Sequence, residues 1–108
     1  GLLVGVQSPA SAAREDCTAG NFCMWEHINF TGLRFSIGGN WAPGTCWNLA
    51  PSMNNKASSA YNHMGREVQM WNNADCRGWF DELDPNRWNH DFRYRPGTND
   101  TFSSIKVL

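Results

Sequence analysis

The closing stretch Ser104-Ile105-Lys106-Val107-Leu108 alternates polar and apolar positions at a period of two, the pattern of a strand with one buried face. No segment carries the 3.6-residue apolar repeat of an amphipathic helix, so the remaining short apolar runs also read as strands. Residues 21–26 and 32–37 form a predicted hairpin with Glu26 to Thr31 as its bend, and 45–49 and 57–62 follow. The second half repeats this at 67–72, 78–83, 90–94 and 102–107. Gly38-Gly39-Asn40, Ala42-Pro43-Gly44, Asp84-Pro85-Asn86 and Arg95-Pro96-Gly97 supply turn chemistry between them. Eight short strands punctuated in this way predict an all-β sandwich.

The two halves are copies of one plan. Met24-Trp25 recurs as Met70-Trp71, and Gly32 as Gly78, giving Trp-x-x-x-x-(Phe or Cys)-x-Gly twice. Later in each half stands a second shared element, Asn54-Asn55-Lys56-Ala57-Ser58-Ser59 and Asn99-Asp100-Thr101-Phe102-Ser103-Ser104. Two copies are too few for a propeller or a solenoid. His63-Met64-Gly65-Arg66 joins the halves and is too short to link independent domains. One domain is therefore expected over 16–108.

Composition narrows the classes. Six Trp, six Phe and two Tyr give a small chain much apolar area per residue. The formal net charge is -1 and no basic stripe is present, which speaks against a nucleic-acid partner. No apolar stretch is long enough to cross a bilayer, so no membrane role is expected. Gly1 to Val6 is apolar, and Ala10-Ser11-Ala12 fits a signal-peptidase motif with cleavage before Ala13. Residues 1–15 are thus expected to be a signal-peptide remnant or flexible tail outside the core, and the protein to be secreted. Cys17, Cys23, Cys46 and Cys76 are an even count in such a chain, which implies two disulfides worth about 2–4 kcal/mol each. Of the three connectivities, those with Cys17–Cys46 or Cys17–Cys23 are favoured. Zinc is disfavoured, since there is no C-x-x-C pair and no His at ligand spacing.

The duplicated loops carry the candidate chemistry. Asn and Asp side chains, Ser hydroxyls and loop carbonyls are hard oxygen donors, which suit calcium better than zinc or copper. The same residues build ordinary turns, but the paired occurrence favours a metal site. Trp-x-x-x-x-(aromatic)-x-Gly followed by (Asn/Asp)-(Asn/Asp)-x-x-(Ser/Thr)-Ser, twice and in order, resembles the signature of the βγ-crystallin superfamily in its microbial calcium-binding branch. The resemblance covers residues 21–108. It implies two Greek keys, 16–64 and 65–108, that exchange third strands and hold two calcium ions between them. It further implies ligands from the carbonyls of Lys56 and Thr101, the hydroxyls of Ser58 and Ser103, the side chains of Asn55 and Asp100, and carbonyls near Glu26 and Asn72. Trp25 and Trp71 take its corner positions and Phe30 its second aromatic position. Cys76 departs from the pattern, and a disulfide is expected to staple that corner. Asn55 offers no formal charge where Asp100 does, so the sites should be unequal, with Asp100 in the tighter one and affinities on the order of micromolar to millimolar.

A second resemblance bears on function. Cys17-Thr18-Ala19-Gly20-Asn21-Phe22-Cys23-Met24-Trp25-Glu26 is similar to the opening of small secreted actinobacterial proteins grouped with a streptomycete metalloproteinase inhibitor. That likeness implies a secreted metalloprotease as partner. Catalysis has little support: His27, His63 and His90 adjoin no nucleophile motif, and G-x-S-x-G and H-E-x-x-H are absent. His27 is expected to face solvent in its bend. Asp81-Glu82-x-Asp84 reads as a solvated strand edge. Three functions are weighed: a monomeric calcium-binding module stabilised by its ions, a metalloprotease inhibitor, and a carbohydrate-, cell-wall-binding or antimicrobial protein. Exposure of Trp41, Trp79 or Trp88 would favour the third, although large aromatics usually pack in cores.

Overall fold

The computed structural model describes residues 13–95 and 97–108. The apolar stretch 1–6, the motif Ala10-Ser11-Ala12 and Pro96 lie outside the described residues. Among the described residues eight strands run in chain order: β1 (Asn21–His27), β2 (Thr31–Gly38), β3 (Thr45–Asn48), β4 (Ser59–Asn62), β5 (Val68–Asn73), β6 (Arg77–Leu83), β7 (Arg87–Asn89) and β8 (Ser104–Val107). They form two four-stranded sheets, β2-β1-β4-β7 and β3-β8-β5-β6. The neighbouring pairs run antiparallel. Each half lends its third strand to the other: β3 pairs with β8, and β7 with β4. Two Greek keys exchanging third strands cannot separate without breaking both sheets, so the halves form one unit.

Alternate strand positions explain the core. Phe22 and Met24 of β1, Ala60 of β4, Val68 and Met70 of β5, and Ile105 and Val107 of β8 are buried together between the sheets. Phe92 and Phe102 meet edge to face in the same core, with centroids 5.4 Å apart. The fully buried Asn62 ties the junction down. Its amide donates to the carbonyls of Arg66 and Leu83, and its oxygen accepts from the Met64 amide. A second cluster lies under the N-terminal segment, where Cys17, Cys23 and Trp25 are buried against Phe30 and Tyr61.

Both hairpins fold over at a corner. Asn29 and Phe30 in the first, and Asp75 and Cys76 in the second, adopt left-handed φ between 54° and 62°. One serine clamps each corner. The Ser59 hydroxyl accepts from the Phe30 amide (3.1 Å) and donates to the His27 carbonyl (2.7 Å). The Ser104 hydroxyl accepts from the Cys76 amide (2.9 Å) and donates to the Asn73 carbonyl. Trp25 and Phe30 pack edge to face at 5.1 Å. Where the second corner has Cys76 instead of an aromatic, the Cys46–Cys76 disulfide holds it to β3.

Several expectations need correction. The other disulfide is Cys17–Cys23, so Cys17–Cys46 is not formed. It lies instead between β1 and the segment crossing its outer face. The seventh strand is at Arg87–Asn89 rather than 90–94, because the Asp91 side chain accepts from the Arg93 amide and starts a 3-10 turn over Phe92–Tyr94. β4 and β8 begin at Ser59 and Ser104, two residues later than expected, because the preceding residues remain in the loops. Residues 13–15 bury no side chain, yet the Arg14 guanidinium lies 3.8 Å from the Trp88 ring centroid and docks this segment on sheet β2-β1-β4-β7.

Gly78 has φ +92°, and a Cβ there would collide with the Asn72 side chain. Gly44 has φ +87° with open space around it. Gly44→Ala should therefore cost only the backbone strain, about 1–2 kcal/mol. Gly78→Ala should cost distinctly more in the same urea titration.

Candidate functional site: two crossed loops

The loops Asn54–Ser59 and Asn99–Ser104 lead into β4 and β8. Asn55 and Asp100 each turn the chain with a left-handed φ, 57° and 55°, a conformation Asn and Asp tolerate well. The Ser58 amide donates to the Trp25 carbonyl and the Ser103 amide to the Trp71 carbonyl, both at 2.8 Å. The loops then bond to each other: the Asn55 amide to the Phe102 carbonyl (2.9 Å), and the Asp100 amide to the Ala57 carbonyl (3.1 Å). Side chains repeat the reciprocity. The Ser58 hydroxyl donates to Asp100 Oδ1 at 3.3 Å, and the Ser103 hydroxyl to Asn55 Oδ1 at 2.9 Å. A local two-fold relation thus pairs each loop's serine with the other loop's second residue.

Of the eight residues proposed as ligands, Glu26, Asn55, Lys56, Ser58 and Asp100 line one pocket of about 230 Å³. His27 lines it too; its ring is exposed, as a turn residue's should be, but its Nε2 lies 3.5 Å from Glu26 Oε1. The Glu26–Thr31 bend was the available signal for His27, since it brings the end of β1 to the loops. Asn72, Thr101 and Ser103 do not line this pocket. Asn72 Oδ1 accepts from the Trp79 amide at 2.8 Å, and the Thr101 hydroxyl donates to the carbonyls of Gly97 and Asn99. Ser103 faces Asn55. The corner clamps Ser59 and Ser104 were missed as a separate role: the second serine of each signature holds the corner, and the first faces the other loop.

The pocket brings together Asp100, whose carboxylate meets the buried Ser58 hydroxyl, with Glu26 at the end of β1 and the loop residues Asn55 and Lys56. Hard oxygens with carboxylate charge fit a hard divalent cation and offer no thiolate to a softer one.

The acidic stretch on β6 divides. Asp81 pairs with Arg95 at 3.3 Å. Glu82 and Asp84 meet Glu67, with carboxylate oxygens within 4.8 Å of one another. Burial, then the neighbouring Glu82 and Asp84, push the Glu67 carboxyl above its ordinary range. Elsewhere the Arg93 hydrogen bond holds the Asp91 carboxyl below its ordinary range. Trp79 and Trp88 are exposed, on β6 and β7 of different sheets, while Trp41 packs edge to face on Trp47.

A sandwich of two Greek keys with exchanged third strands and crossed loops has the βγ-crystallin fold. A structure concerned with the evolution of the eye lens βγ-crystallin domain fold is similar at 22% identity, covering 96% of this chain and 93% of its own, with a TM-score of 0.70. A βγ-crystallin from an archaeon is similar at 17% identity, covering 84% and 100%, TM-score 0.66. A βγ-crystallin from Ciona intestinalis is similar at 19%, covering 82% and 100%, TM-score 0.65. Residues 10–83 match peptidase inhibitor family I36, and the chain belongs to that family. No curated protein matches the chain.

Ser59→Ala should leave the Phe30 amide and the His27 carbonyl without their partner and lower stability by about 1–3 kcal/mol in urea unfolding. Glu67 carries a raised pKa in the fold, so its charged form opposes folding at neutral pH and its protonated form does not. Glu67→Gln should raise the melting temperature at pH 7, and the gain should shrink as pH falls below the carboxyl's raised value.

Proposed function

We propose that this chain is an exported binding protein, not an enzyme, whose crossed loops take up calcium and are stabilised by it. The observation that carries this reading is the convergence of Glu26, Lys56, Ser58 and Asp100 on one pocket fed by both Greek keys. Asp100 would supply the carboxylate and Ser58 the hydroxyl, with backbone carbonyls from Glu26 at the end of β1 and from Lys56 in the loop. The ion when bound neutralises the Asp100 charge and cross-links the halves. Because both loops contribute, binding favours the folded chain and stabilises it by RT ln(1 + [L]/Kd). Two disulfides support export to an oxidising compartment.

Membership of family I36 favours a second, compatible reading: the calcium-held sandwich inhibits an extracellular metallopeptidase. Ordering the scaffold beforehand lowers the entropy lost on docking into a cleft.

At calcium a hundredfold above Kd, the melting temperature should rise by roughly 10–20 °C over the chelated sample. Asp100→Asn should weaken binding by about tenfold or more, because ligand charge tunes calcium affinity. A melting curve indifferent to millimolar calcium would remove the first reading. Full activity of a thermolysin-type zinc endopeptidase in excess of this protein would count against the second.

A further inference from the structure

The two halves of the loop cluster are related in backbone and differ in charge. On one side the Ser58 hydroxyl meets a carboxylate, Asp100, across 3.3 Å, next to Glu26. On the other side the Ser103 hydroxyl meets an amide oxygen, that of Asn55, across 2.9 Å, while Asn55 also lines the edge of the Asp100 pocket. The residue corresponding to Glu26 there is the neutral Asn72; both side chains accept from the amide seven residues on, Glu26 Oε1 from Leu33 at 3.4 Å and Asn72 Oδ1 from Trp79 at 2.8 Å. The second set, Asn55, Asn72, Thr101 and Ser103, therefore contains no carboxylate. A divalent ion entering it would lose water against neutral dipoles alone; it would displace a serine hydrogen bond on either side, but the one here is the shorter, 2.9 Å against 3.3 Å, and only the Asp100 side offers a carboxylate in return. Ser103 is 9% exposed, so its hydroxyl has little water to turn to instead.

We infer that the second position is a metal-independent latch: the Ser103–Asn55 hydrogen bond does there what an ion does at the Asp100 side, and the chain binds one calcium rather than two. The stoichiometry rests on the calcium reading above; the latch does not. A latch of this kind keeps the loops crossed when calcium is scarce. The Asp100 pocket then stays pre-formed, and binding needs no refolding of the loops.

Calorimetry and native mass spectrometry of the full chain with calcium chloride, and melting in chelator, test this. The wild-type chain should take up one calcium, and Asn55→Asp should take up a second. Ser103→Ala should lower the chelated melting temperature by roughly 4–8 °C, the shift worth one hydrogen bond in a domain this size. It should still bind one calcium, and Ser103→Thr should restore the melting temperature. Two ions on the wild-type chain would overturn the inference, as would a Ser103→Ala chain that melts unchanged in chelator. Should no calcium bind to the wild-type chain, the calcium reading and the stoichiometry fail together, and the latch is then decided by the Ser103→Ala melting shift alone.

Discussion

The structure depends on two short loops being bonded to each other rather than to solvent. Asn55 and Asp100 donate their amides across the molecule to Phe102 and Ala57. Ala57 and Phe102 anchor the loops in the core, but Asn55 and Asp100 are themselves exposed and are held by these bonds. Here each loop is also bonded to its own half, through the Ser58 and Ser103 amides. The pair thus forms a continuous run of backbone bonds from β1 through both loops to β5. The exchange of β3 and β7 between sheets ties the same two halves together a second time. Any change that parts the loops must disturb strands from both halves.

Within this shared frame the halves have diverged in their chemistry. The first corner is filled by Phe30 against Trp25 and covered by the Cys17–Cys23 segment. The second is held by Cys46–Cys76, and Trp71 packs on Phe80 with Lys106 5.3 Å from its ring centroid. Asn48 adds to this fastening: its oxygen accepts from the Asp75 amide and its amide donates to the Asp75 carboxylate. One corner is thus closed by aromatic packing and the other by a covalent bond. The loops show the same division, with charge on one side and a neutral hydrogen bond on the other.

Much of this was legible in the residues. The duplicated Met-Trp and Asn/Asp–Ser elements gave the two halves, and the turn residues gave nearly every strand. The departure at Cys76 marked the corner that the disulfide holds. What was not legible depended on long-range placement. Spacing could not choose among Cys pairings, because the exchange of third strands brings Cys46 to Cys76 across thirty residues. The shift of β7 to Arg87–Asn89 came from a local competition, in which the Asp91 side chain won the Arg93 amide from the strand. The neutral pairing of Ser103 with Asn55 needed coordinates, since the sequence shows only the two loops' likeness.

Amide hydrogen exchange at Asn55 and Asp100 tests the crossing of the loops most directly. Asn55 and Asp100 are exposed loop residues, yet the account predicts that their amides exchange as slowly as those of the paired strands, with or without calcium. Exchange at the rate of an open loop, while the amides of β1 and β5 stay protected, would contradict it.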